Sequence, residues 1–155
     1  METNVEQLQN KIDTLFNQGY FCSQITSIIM QENLGLGSDE TIKALSAFSG
    51  GVGRNGYSCG ILNASLAMVG LAVGRGKEEK GDPRITEYIK RVYDEFSKNE
   101  YGSINCRDIV GVNWWNNEQA TKYFKDPVAV GRCQRMMINM IIFVTEFLKN
   151  FRKEK

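Results

Sequence analysis

Apolar residues recur along this chain at intervals of three and four, and no stretch alternates for long enough to make a strand. That spacing places them on one face of a helix, so an all-α fold is expected. Turn residues fall between the periodic stretches. A first helix is predicted from about Asn4 to Gln18, with Leu8, Ile12, Leu15 and Phe16 inward and Gly19 as its stop. A second carries Cys22, Ile25, Ile28, Ile29 and Leu34 and ends at Gly35 and Gly37. Ser38 before Asp39 and Glu40 marks the start of a third: a hydroxyl can cap free amides, and acids suit the positive end of the dipole. That helix should end near Phe48, followed by a flexible turn from Gly50 to Gly56. The next segment, about Tyr57 to Val73, is apolar on almost every side, as in a central helix packed by several others. Asp82 and Pro83 open an amphipathic helix bearing Ile85, Tyr88, Ile89, Val92, Tyr93 and Phe96. A short helix is expected around Cys106 to Val110, another ending near Phe124, and a last one opened by Asp126 and Pro127 that runs through Phe147. The expected architecture is a single-domain helical bundle of about five to seven helices over residues 1–155, with the glycine-rich turn before its central apolar helix.

A chain of 155 residues can bury one substantial core. With 42% hydrophobic and 24% charged residues it should fold alone or as a small homo-oligomer. The formal net charge of +1 offers no attraction for a polyanion, so no nucleic-acid partner is expected. Met1 to Lys11 is polar and lacks the apolar core of a secretory signal, which leads to a cytoplasmic expectation. Gly60 to Val73 and Met136 to Val144 are interrupted by Asn63, Ser65 and Asn139 and read as core helices too short for membrane insertion.

Histidine is absent. A histidine general base, a histidine-ligated haem and a cysteine-histidine zinc finger are therefore excluded, and thiol chemistry remains. The four cysteines, Cys22, Cys59, Cys106 and Cys133, form no CxxC pair, and in a reducing compartment they do not read as a permanent disulfide framework. Residues 51–56 match GxGxxG by letter, but the preceding Thr41 to Phe48 reads as helix, whereas a dinucleotide fingerprint needs a strand there. The turn instead delivers Cys59 to the beginning of a helix. Cys22, Cys59 and Cys106 all lie in or beside a predicted first turn, and Cys133 lies near a second. Amides at helix starts stabilise negative charge, so such thiols should ionise more readily than other buried ones. Arg107 and Arg132 adjoin two of the cysteines and Arg54 precedes a third by five residues, pointing the same way. The alternative is that the arginines are solvated and the cysteines are small core residues.

The segments YFCSQ around Cys22, SGGVGRNGYSCGILNASL around Cys59, YGSINCRDIVG around Cys106 and RCQRM around Cys133 resemble the four cysteine blocks of the redox-active C_GCAxxG_C_C family, from about residue 20 to 150. The resemblance implies a redox or metal role for Cys22, Cys59, Cys106 and Cys133, with Gly53, Arg54, Gly60, Arg107 and Arg132 as supporting residues. A domain of split-Soret cytochromes that resembles this family suggests an iron-sulfur centre. The expected cofactor is accordingly an iron-sulfur cluster, 2Fe-2S first, for electron transfer or redox sensing with an unidentified redox partner. A thiol-disulfide oxidoreductase, a zinc-stabilised domain and a metal-free interaction domain are the alternatives. The chain departs from the family pattern after Cys59 and Gly60, where Ile61 and Ala64 replace alanine and glycine.

Two further features have plain readings. Trp114 and Trp115 should pack a loop over the core rather than line a ligand pocket. Met136, Met137 and Met140 lie at helical spacing beside Cys133 and should fill the core rather than ligate copper.

Overall fold

The computed structural model describes residues 4–153, which form eight α-helices and no strand among the described residues: α1 (Val5–Asn17), α2 (Cys22–Leu34), α3 (Asp39–Leu45), α4 (Gly60–Val73), α5 (Ile85–Phe96), α6 (Cys106–Val110), α7 (Asn117–Lys125) and α8 (Pro127–Lys153). The protein is all-α, with one helix more than the upper expectation. α4 is the hub. It packs against α2, α5 and α8, and Ile61, Leu62, Ala64, Ser65, Met68, Val69 and Val73 are buried along it. Because its residues are apolar on nearly every side, neighbours on several sides are needed to remove them from water.

The helix ends show where local signals hold and where they shift. Asn4 Oδ1 accepts from the amides of Glu6 and Gln7, and Asp126 Oδ1 from those of Val128 and Ala129, so both ends are capped as side-chain acceptors allow. Gly35 and Gly111 close α2 and α6 in the left-handed conformation. Ser38 is the N-cap of α3, but its hydroxyl makes no capping hydrogen bond. The expected third helix also breaks: α3 stops at Leu45 and tightens into a 3-10 turn over Ser46–Phe48. Asp82 turns on the amide of Arg84, so α5 opens at Ile85 rather than at Pro83. Likewise Tyr57 and Ser58 precede α4, because their backbone pairs with another segment.

α8 differs most from the sequence expectation. It is one continuous helix, and its Pro127–Phe151 portion has the length and mean hydropathy of a membrane-crossing segment, unlike the short Met136 to Val144 run. Here its apolar face is a core face: Met137, Met140, Ile141, Val144 and Leu148 are buried, and α1, α2, α4, α5 and α7 pack against it. Gln134 joins it to α1 by hydrogen bonds with Gln9 and Asp13. At its far end Tyr88 of α5 sits edge-on to Phe147 and Phe151, and Arg91 lies over the Phe147 ring at 4.4 Å.

Candidate functional site

Cys22 and Cys106 are the first residues of α2 and α6, Cys59 is the N-cap of α4, and Cys133 lies in the second turn of α8. All four line one partly enclosed cavity of about 300 Å³. Its walls are mainly apolar and aromatic, including Phe16, Ile61, Ile109, Trp114, Tyr123, Phe124 and Met137. All four thiols are free; Cys59 and Cys106 are buried, and Cys22 and Cys133 half-buried.

The glycine-rich turn shapes one side of this cavity. Gly50, Gly51, Val52, Gly53 and Arg54 have φ of 62°, 74°, 59°, 63° and 66°, so five consecutive residues wind to the left. Such a turn costs an L-residue roughly 1–2 kcal/mol, which three glycines avoid and Val52 and Arg54 do not. Within it Arg54 N–H donates to Ser49 O and Gly56 N–H to Gly50 O, both at 3.0 Å. The amide of Gly50 is a hydrogen-bond donor to Cys22. This is helix-to-helix backbone, and the strand that a dinucleotide fingerprint requires is not there.

Beyond the turn, Cys59 N–H donates to Ile104 O and Cys106 N–H to Tyr57 O, both at 2.8 Å. These bonds flank an isolated antiparallel bridge between Ser58 and Asn105, which sets Cys59 beside Cys106. Close packing is built into the glycines. A Cβ on Gly60 would lie 2.9 Å from Cys22 Sγ, and one on Gly51 would lie 2.7 Å from Cys106 Cβ. Ile61 and Ala64, the departures from the family pattern, are both buried, and Ile61 lines the cavity.

Of the arginines named from sequence, only Arg54 lines the cavity. Arg107 donates to the carbonyls of Gly56 and Asn55 and covers the Tyr57 ring at 4.9 Å, bracing the turn from outside. Arg132 is exposed. Against their ordinary value all four thiols are harder to ionise. Burial pushes Cys22 up, pushes Cys59 well up, and takes Cys106 to about 12 and Cys133 to about 11. Hydrogen bonds oppose burial without overcoming it, and no arginine contributes to these shifts. Desolvation wins because the apolar walls replace water around each sulfur, whereas a helix start supplies only partial charge.

Each sulfur nevertheless has a donor. Cys22 has the Gly50 amide and Cys59 the Ile61 amide; Cys106 Sγ accepts from Trp114 Nε1 at 3.2 Å and Cys133 Sγ from the Tyr123 hydroxyl at 2.9 Å. Sequence reasoning placed Trp114 in the loop packing and did not single out Tyr123. No periodicity could have found them, because a turn separates each from the cysteine it meets. Trp115, in contrast, is 66% exposed and bonds only through Nε1 to Asn55 Oδ1 on its side chain. Met136 and Met137 line the cavity and Met140 is buried in the core.

Among the described residues no three Cys, Asp or Glu side chains are grouped so as to hold one metal ion. Four thiols lining one mainly apolar cavity are soft donors of the kind that hold thiophilic metals or iron-sulfur clusters.

A family model described as "putative redox-active protein (C_GCAxxG_C_C)" matches residues 20–147. Comparisons with curated proteins and with solved structures find no match.

Proposed function

Because the chain belongs to the C_GCAxxG_C_C family, whose model spans residues 20–147, we propose that Cys22, Cys59, Cys106 and Cys133 act together as one redox site that takes an iron-sulfur cluster for electron transfer or redox sensing. The observation that carries this reading is the convergence of four thiols from four helices on one apolar cavity, each with its own hydrogen-bond donor. When bound, the cluster supplies one-electron chemistry. The chain's own contribution is ligation by the four sulfurs, exclusion of water by Phe16, Ile61, Ile109 and Met137, and hydrogen bonds that disperse charge from the sulfurs.

Ligation requires thiolates, so the four raised thiols release protons as they bind. Assembly should therefore improve as pH rises from 7 towards 9, where more of each thiol is ionised. The test is anaerobic purification and reconstitution with iron and sulfide, followed by iron and acid-labile sulfide analysis. The expected result is a coloured protein with two irons and two sulfides per chain, as for 2Fe-2S, and little uptake when any of the four cysteines is changed to alanine. A colourless chain without iron or sulfide after reconstitution overturns the reading.

A further inference from the structure

The cavity that the cysteines line is deeper than they are, and burial orders its walls. Cys59, Cys106, Ile61, Ile109 and Met137 are buried and make its floor, whereas Tyr20, Phe21, Arg54, Asn117 and Phe124 are exposed and make its rim. Arg54 is the only charged residue among the described ones that line it. Its guanidinium forms no ion pair and covers no ring among the described residues. A Cβ added to Gly50 would lie 3.2 Å from Trp114 Cδ1 and 3.4 Å from Arg54 Cγ, so the arginine stem and the indole border the same point of the wall. Arg54 also stands at φ 66° in a turn where three of five residues are glycine. Backbone strain at a residue other than glycine collects at ligand clamps, where the side chain is put to use.

We propose that the mouth of this cavity binds a small aromatic carboxylate, its ring against the aromatic wall and its carboxylate on Arg54. The proposal goes beyond the cluster reading and does not depend on what the sulfurs hold. Size sets the first limit: about 300 Å³ is at the lower end for a small-molecule pocket, enough for one ring with a short side chain. The wall sets the second. Phe124 lies 5.9 Å from Phe16 and 5.7 Å from Trp114 between ring centroids, so rings from α1, α7 and the loop before α7 form one continuous surface, on which a planar ring packs edge to face or offset. Charge sets the third. A guanidinium fork matches the two oxygens of a carboxylate, and one cation on the rim balances one negative charge. A neutral apolar molecule would leave Arg54 unused, and a dinucleotide or other polyanion would bring more charge than this rim can meet.

The experiment is isothermal titration calorimetry of the cluster-free full chain with phenylacetate, and with phenylacetamide as its neutral counterpart of the same shape. Phenylacetate should bind saturably, one per chain, with a dissociation constant below about 1 mM. Arg54→Gln should weaken it by about fivefold or more, and phenylacetamide should bind the wild type more weakly and be indifferent to the substitution. Arg54→Gly removes the same charge together with the left-handed strain, so a matching loss in that variant is a loss of the contact and not of the fold. Ala120→Trp fills the mouth from α7 while leaving Arg54 in place, and it should abolish binding. Absence of saturable binding to the wild type overturns the proposal. So does equal affinity in Arg54→Gln, equal affinity for phenylacetamide, or unchanged binding in Ala120→Trp. Iron and sulfide analysis judges the cluster reading separately, so either can fail without the other.

Discussion

Gly60 stands where two opposite expectations meet. At a helical position an added methyl favours the helix by up to about 1 kcal/mol, yet here it would lie 2.9 Å from Cys22 Sγ and 3.1 Å from the Phe48 carbonyl oxygen. Packing dominates because one of the two atoms is backbone, so Gly60→Ala should destabilise the fold by about 1–3 kcal/mol in urea denaturation and reduce iron uptake. Val52 is the opposite case. It is partly exposed with φ of 59°, so Val52→Gly relieves left-handed strain and should raise stability by up to about 1 kcal/mol, less the added freedom of glycine in the unfolded chain. The buried thiols make alkaline stability a further readout. Each folded thiol binds its proton more tightly than the unfolded one, so its contribution is complete below about pH 9 and is lost as pH rises towards the folded value. For Cys106, taken to about 12, the loss is about 1.4 kcal/mol per pH unit within that window. Stability curves should therefore fall above pH 9, and Cys106→Ser should fall less steeply, after its own constant cost is subtracted. That Cys22, Cys59 and Cys106 lie at helix starts was legible from their place after Gly19, Gly56 and Gly102, because turn and cap signals are local. Their charge was not, since it depends on walls contributed by α1, α7 and α8.

Helices differ in how firmly they are held, and the difference bears on the site. α4 is enclosed by α2, α5 and α8, whereas α7 has α8 as its main helical neighbour and Tyr123 as its only buried residue. Amides of α7 and of the loop before it should exchange with solvent faster than those of α4 in hydrogen-exchange mass spectrometry. Reconstitution with iron and sulfide should slow α7 in particular, because Tyr123 and Trp114 tie this segment to two of the sulfurs. At the other end of α8, Phe147 carries Tyr88 and Arg91, so α5 is fastened through aromatic contacts away from the cysteines. Most elements could be located from periodicity, since Leu8 with Ile12 and Val92 with Phe96 mark faces without reference to the rest of the chain. The breaks could not. α3 ends at Leu45 and α4 starts at Gly60 because the backbone between them is taken up by the left-handed turn and by pairing with residues 104–107.

Across the whole molecule the cysteines tie together elements remote in the chain, since α2, α4, α6 and α8 each contribute one sulfur to the same cavity. A group bound there is bound only by the folded chain, so reconstitution should raise the melting temperature, and Cys133→Ala should abolish that gain. Leu62, buried within α4 and not among the residues that line the cavity, serves as a contrast: Leu62→Ala should cost about 2–5 kcal/mol while leaving the per-chain iron content of the folded fraction intact. The sequence by itself determined the helical class, the central place of the apolar Gly60–Val73 segment, the turn ahead of Cys59 and the four cysteines as the residues on which chemistry could rest. These follow from spacing, caps and residue type, which act over a few neighbouring positions. Only the tertiary structure decided that the four sulfurs face one cavity, that a bridge at Ser58 and Asn105 joins two of them, that Arg107 and Arg132 turn away, and that Trp114 and Tyr123 supply the donors. Those outcomes depend on which distant surfaces are pressed together and how much water they exclude, and no local pattern in the chain encodes them.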